Sequence, residues 1–289
     1  MFDKNLKTQG RALLSLYKSS AMKSLVLALL VMFTISSCTS NGDYQLVWSD
    51  EFDYEGLPDS TKWSYDTEGN AWYWGNNELQ HYTSYCAKNA HVVDGKLIVR
   101  AEVDTILNRN YTSARLITKG KGDWLYGRIE VCAKVTGGKG AWPAIWMLPT
   151  NWEYGSWPKS GEIDIMEHVG YEPDSVYFTV HTEAYNHVDG TQKSRAVYNP
   201  SLESEFHVYA VDWTDKKCVF YLDNKEVFVF KKEPKCTSKQ WPFDKHFYLV
   251  LNLAVGGNWG GVYGVDNSIF PCQMEVDYVR VYQPANEKI

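Results

Sequence analysis

Gly127-Arg128-Ile129-Glu130-Val131 changes from polar to apolar at each step along the chain. A strand sends successive side chains to opposite faces, so a period of two predicts an extended segment with one buried face. Val279-Arg280-Val281-Tyr282 repeats the pattern near the other end. Working outward, stretches 96–102, 126–135, 176–181, 206–213, 219–223, 247–253 and 274–282 are rich in Val, Ile, Tyr and Phe, with Gly, Asn, Asp or Pro between them. Asp223-Asn224-Lys225 separates two apolar runs and reads as a hairpin turn. Nothing after residue 44 shows helical periodicity, an internal repeat or a Pro/Ser-rich linker. These features predict an all-β, antiparallel β-sandwich over residues 44–284, with residues 285–289 as a short tail.

The front of the chain reads differently. Residues 25–35 form an eleven-residue apolar run behind Lys23, too short to span a bilayer but suited to the core of a secretory signal. Ile35-Ser36-Ser37-Cys38 closes the run and resembles the lipobox of bacterial lipoproteins, in which the cysteine becomes the lipidated first residue. The expected organisation is therefore an N-terminal extension and lipoprotein signal over 1–37, with Met22 as the expected true start, and a tether over 38–43. Lipidation at Cys38 would be the only membrane attachment and would place the protein in the bacterial cell envelope, at the outer membrane or cell surface. Residues 1–37 carry five basic side chains and one acidic one, so the formal net charge of −6 becomes −10 without them. An acidic protein has no electrostatic reason to hold nucleic acid, and it repels polyanions. A neutral partner and a monomeric chain are expected.

Apart from Cys38, the cysteines are Cys86, Cys132, Cys218, Cys236 and Cys272, an odd set in which Cys218 and Cys236 flank the hairpin and form the best candidate pair. No CxxC or Cys/His cluster has zinc spacing, so no transition-metal site is expected. Aromatic residues make up 15% of the chain. Trp72, Tyr73, Trp74, Trp142, Trp157 and Trp259 sit in loops or beside Gly and Pro, where burial is harder. Flat rings in a groove match the faces of pyranose sugars.

The chemistry lies in Gly161-Glu162-Ile163-Asp164-Ile165-Met166-Glu167-His168. On a regular strand Glu162 and Asp164 share a face and Ile163 and Ile165 point inward, while Glu167 falls on the wrong side. A β-bulge at Met166 brings it back. Glu162 and Glu167 are then about 13 Å apart at Cα, and inward-leaning arms bring the carboxyls to roughly the 5–5.5 Å of a retaining glycosidase. The expected roles are Glu162 as nucleophile, Asp164 as its helper and Glu167 as acid, then base. The pattern is also compatible with a solvent-facing acidic strand or a calcium site.

Glu162-Ile163-Asp164-Ile165-Met166-Glu167 closely resembles the signature of glycoside hydrolase family 16, in the bulged form of its laminarinase branch. Supporting segments are Val47–Phe52, Trp74–Gln80, Ser113–Leu116, Trp142–Pro149, Val180–Thr182, Asn252–Trp259 and Val276–Tyr282, so the resemblance spans nearly the whole chain after residue 44. It implies a concanavalin A-like β-jelly-roll whose open concave cleft takes a linear glucan. By position it implies sugar contacts from Asn77, Arg115, Trp142, Trp157 and His181, with Trp146 and Trp259 as further candidates. It also implies a structural calcium away from the cleft at Glu51, Gly95 and Asp277, with no cofactor for catalysis. The activity implied is endo-hydrolysis of β-1,3-glucosidic bonds in laminarin-like glucans, mixed β-1,3/1,4 chains included. Two rivals are a surface glucan-binding protein without turnover and a relative that cuts a galactan such as agar.

Overall fold

The alternating segments form strands because each can bury its apolar face. The computed structural model describes residues 44–285; the Cys38 sequence, the tether and residues 286–289 lie outside the described residues. Gly127–Lys134 runs between His207–Trp213 and Cys272–Pro284. Its Ile129 pairs with Val211 on one side and Val281 on the other. All three are fully buried, as is neighbouring Val131.

Ten strands make this first sheet. Its main path is Lys225–Lys231, Lys217–Leu222, His207–Trp213, Gly127–Lys134, Cys272–Pro284, Lys96–Ile106, Arg109–Ser113 and Gln80–Tyr82, with Tyr44–Asp50 on Cys272–Pro284 and Ala90–Val93 on Lys96–Ile106. The second sheet has eight: Lys193–Tyr198, Ser175–His181, Glu162–Glu167, Ala141–Pro149, Phe247–Val255, Arg115–Ile117 and Ser64–Tyr65, with Asp123–Trp124 on Phe247–Val255. Only two short 3₁₀ turns, Glu68–Gly75 and Asn267–Ile269, break the strand pattern among the described residues. The result is an all-β jelly-roll sandwich.

The core lies between the sheets. Ile145, Met147, Ile163, Phe178, Leu249 and Leu251 from the eight-stranded sheet meet Ile129, Tyr209, Val211, Phe220 and Val279 from the other. Phe178 and Phe220 touch across the gap with ring centroids 6.2 Å apart. Each such side chain, fully withdrawn from water, contributes roughly 1.5–3 kcal/mol. Every residue of Phe247–Val255 is buried, so this strand forms the rigid centre of the eight-stranded sheet.

Two expectations need correction. Pairing is antiparallel throughout except that Gln80–Tyr82 lies parallel to Arg109–Ser113. Cys218 and Cys236 form no disulfide; all five described cysteines are free. Cys218 points into the core on a strand where it pairs with Trp213 and Phe230, while Cys236 sits in the turn beyond Lys231. The hairpin itself is as read: Asp223 and Asn224 take φ of 50° and 62°, the left-handed pair that a tight two-residue turn requires.

Candidate active site

The decisive register lies along Glu162–Glu167. Against Ser175–His181, Glu162 pairs with His181, Asp164 with Thr179 and Glu167 with Tyr177, so Ile165 and Met166 together stand opposite Phe178. On the other flank Asp164 faces Trp146, Met166 faces Ile145 and Glu167 faces Ala144. This is a β-bulge at Ile165–Met166. Both bulge side chains are fully buried, and the extra residue turns Glu167 onto the outer face with Glu162 and Asp164. The partners of the two glutamates, His181 and Tyr177, are four residues apart, which corresponds to about 13 Å.

Each glutamate is held by an indole. Trp157 Nε1 donates to Glu162 Oε2 at 3.1 Å, and Trp142 Nε1 donates to Glu167 Oε1 at 3.2 Å. Asp164 lies between them, only 2% exposed, and its Oδ2 has no hydrogen-bond partner. His181 Nε2 stands 3.5 Å from that oxygen and 3.7 Å from Glu162 Oε1. Among the described residues, no Lys or Arg makes an ion pair with any of the three acids.

Burial without an ion-paired cation sets the proton balance. The Glu162 carboxyl is pushed up by desolvation and then by the charge of Glu167, against the opposing effects of Arg115 and the Trp157 N–H. Asp164 is pushed well up by burial and by both glutamates. Glu167 is raised by burial, with the Trp142 N–H pulling the other way. The three titrate as one set. His181 goes down to about 3, first from burial and then from His187, so its ring is neutral at ordinary pH.

The remaining expected sugar contacts surround this row. Trp259 packs edge-on against Trp142 at 5.5 Å and against Tyr177 at 4.9 Å, forming one wall. Asn77 is exposed at the lip and donates to Asn258 Oδ1 at 2.8 Å. Trp146 is partly exposed on the same face and donates to Asn252 Oδ1 at 2.6 Å. Arg115 is buried, at 7% exposure. Its guanidinium lies 4.4 Å from the Trp74 ring and 4.6 Å from the Trp146 ring, and its Nε pairs with Asp66 at 3.0 Å. It therefore braces the floor from beside the acids. A buried cation stacked on indoles is worth about 2 kcal/mol or more.

Sequence reading missed several members of the site. Tyr177 and Thr179 face the cleft because they alternate with Phe178 and Val180 on the strand beside the acids. His187 lies 4.9 Å from Trp157 and 5.2 Å from His181, closing the wall behind Glu162. Asn252, pinned between Trp146 and the Tyr82 hydroxyl, belongs to the floor. Alternation along 176–181 was the available signal for Tyr177 and Thr179; nothing local pointed to His187. The three-ligand set Glu162, Asp164 and His181, whose ligand atoms lie within 4.8 Å of one another, was equally hidden, because the histidine comes from the neighbouring strand.

The positions expected to hold calcium sit on the other sheet. Glu51 follows Asp50, which pairs with Val279, and Gly95 turns just before Leu97, which pairs with Val276, so the register directs both toward Asp277. The Glu51 carboxylate is taken by Arg280, at 3.0 and 2.7 Å. Asp277 is exposed at a second bulge and makes no ion pair among the described residues. A hard cation there would rely on Asp277 and backbone oxygens, not on the Glu51 side chain.

A family model described as glycosyl hydrolases family 16 matches residues 80–280. The chain is 52% identical over 246 residues to a beta-glucanase of Rhodothermus marinus, covering 83% of this chain and 85% of that protein. Among solved structures, the laminarinase from Rhodothermus marinus aligns with a TM-score of 0.81 at 51% identity, covering 83% of this chain and 97% of the other. A non-specific endo-β-1,3(4)-glucanase aligns at 0.80 and 44% identity, covering 84% and 92%.

Proposed function

The chain belongs to glycosyl hydrolases family 16, and from that premise we propose that its cleft hydrolyses β-1,3-glucosidic bonds inside laminarin-like glucans through Glu162, Asp164 and Glu167. The observation that carries this assignment is the Ile165–Met166 bulge, which sets three carboxyls in one row with an indole N–H on each outer one.

In the first step Glu162 attacks the anomeric carbon while Glu167 passes its proton to the departing glucosyl oxygen. In the second, Glu167 takes a proton from water, which displaces Glu162 and leaves the configuration retained. Two influences favour the ionised form of Glu162, the Trp157 N–H and the charge of Arg115, whereas Glu167 has only the Trp142 N–H. Burial outweighs these influences and raises Glu162 to about 8 and Glu167 to about 7, so the roles of nucleophile and acid rest on the order of the two acids in the family 16 signature and not on proton affinity. A proton retained on Asp164 removes one negative charge beside the nucleophile and so lets Glu162 ionise. Trp142, Trp259 and Tyr177 offer ring faces and edges to a neutral pyranose chain, and a net charge of −6 disfavours a sulfated one.

Incubation with laminarin, mixed-linkage β-glucan, agarose and carrageenan, with products sized by chromatography, tests the reading. Short oligomers from laminarin, and fewer from mixed-linkage glucan, are expected. Release from agarose alone would move the substrate to the galactans, and binding of laminarin without any products would make the protein a glucan-binding module.

The same reading extends to the rest of the chain. The Ile35–Cys38 sequence supports cleavage before Cys38 and lipidation there, placing a monomeric catalytic domain on the cell envelope by a short tether. Globomycin-sensitive processing and a lipid-modified N-terminal peptide in mass spectra would test this. Asp277 with backbone oxygens would hold a structural calcium, and a rise in melting temperature on adding calcium, absent in Asp277→Ala, is the corresponding check.

A further inference from the structure

We propose that the cleft floor is also a binding site for a divalent first-row transition ion, zinc or copper(II), held by Glu162 Oε1, Asp164 Oδ2 and His181 Nε2, and that such an ion reversibly blocks the enzyme. Ligands about 2.0–2.2 Å from a zinc ion lie roughly 3–3.5 Å from one another. His181 Nε2 is 3.5 Å from Asp164 Oδ2 and 3.7 Å from Glu162 Oε1, within a few tenths of an ångström of that spacing, and the ligand atoms of all three residues lie within 4.8 Å of one another, so a small inward movement of the two carboxylates completes the set.

The atoms required are the ones left free. Trp157 binds the other oxygen of Glu162, Oε2, and so orients the carboxylate while leaving Oε1 open. Asp164 Oδ2 is buried and lacks a hydrogen-bond partner. Ring contacts at 5.8 Å to Trp157 and 5.2 Å to His187 hold the His181 imidazole in place, with Nε2 toward the acids. One nitrogen and two carboxylates suit zinc and copper, whereas calcium and magnesium favour all-oxygen shells. A dication also supplies a direct positive partner, since among the described residues no Lys or Arg makes an ion pair with this row. The remaining coordination positions open toward the cleft through Glu162, whose side chain is 13% exposed. His181 Nδ1 has no hydrogen-bond partner, so the ligand lacks the outer partner that strengthens most histidine–metal bonds, and affinity is expected to be moderate.

Calorimetric titration of the metal-free protein with zinc chloride and copper chloride tests the proposal, with circular dichroism to check each variant's fold. One ion per chain is expected, displaced by EDTA and by a laminarin oligosaccharide and unaffected by excess calcium or magnesium. His181→Ala and Asp164→Asn should each weaken binding by roughly 10–100-fold. Absence of saturable binding, unchanged affinity in both folded variants, or failure of the oligosaccharide to compete would overturn it. The readout is binding, so it separates from the hydrolytic reading. A protein that holds zinc but cuts no glucan keeps this proposal and loses the catalytic one, and a zinc-indifferent hydrolase does the reverse.

Discussion

On the outer face of the ten-stranded sheet, Arg128 reaches Asp212 and Glu130 at 3.0 Å each, Tyr278 donates to the second oxygen of Glu130 at 2.9 Å, and Lys134 meets Glu275 at 3.0 Å. On the outer face of the eight-stranded sheet, Glu162, Asp164 and Glu167 have two indole N–H groups and a neutral histidine, and no ion pair with Lys or Arg among the described residues. Both faces arise from the same alternation of polar and apolar residues. They differ in whether each acid is given a cation. Paired acids hold strands together; unpaired, buried acids hold protons near neutrality and cost stability. The cleft is therefore the strained half of the molecule, and the other sheet offsets it.

The sharpest way to break this contrast is Glu162→Ser. Hydrolysis of laminarin should fall by roughly 10⁴-fold or more, while laminarin affinity measured by calorimetry stays close to wild type. Retention of activity would remove the nucleophile from the scheme. Asp164→Asn comes next, with kcat lowered by roughly 10²-fold and the melting temperature raised. The folded-state pKa of Asp164 lies above its ordinary value, so the stability it contributes is full at low pH and is lost as pH rises toward the folded value. The gain from asparagine should accordingly be absent in acid and grow toward neutral pH in thermal melts. A gain independent of pH would mean that charge is not the cause.

Glu130→Gln reverses the sign. It leaves the Arg128 guanidinium short of a charged partner on a partly buried surface, so stability should fall by roughly 1–3 kcal/mol in urea titrations with kcat unchanged. The smallest effect belongs to Trp142→Phe. Its N–H lowers the proton affinity of Glu167, so its loss should move the alkaline limb of the kcat–pH profile upward. A downward shift would show that the indole acts through another group.

Much of this could be read from local pattern. Alternation at Gly127–Val131 located a central strand, and the spacing of Glu162, Asp164 and Glu167 required a bulge where the register has one. What stayed hidden depends on which strands become neighbours. His181 joins the acids because Ser175–His181 pairs with their strand, a contact that no spacing within either segment encodes. Arg115 stacks between Trp74 and Trp146, which come from two other segments, an enclosure that its own neighbours in sequence do not encode. Cys218 and Cys236 are close in sequence around a hairpin, yet the facing of Cys218 into the core was decided by the sheet opposite. The Glu51 carboxylate was similarly claimed by Arg280, far along the chain.

The swelling at Ile165–Met166 has an arithmetic consequence. It is one residue of insertion cancelled by one residue of two-against-one pairing. A chain lacking Met166 would read Glu-Ile-Asp-Ile-Glu, in which every second place is acidic, and an unbroken strand would carry all three on the same side. That deletion forfeits a buried side chain, at roughly 2–5 kcal/mol, but leaves the order of the acids intact. Loss of Ile163 instead would make Glu162 and Asp164 adjacent and send one of them inward. Tolerance to a change in length is thus unevenly distributed over six consecutive residues.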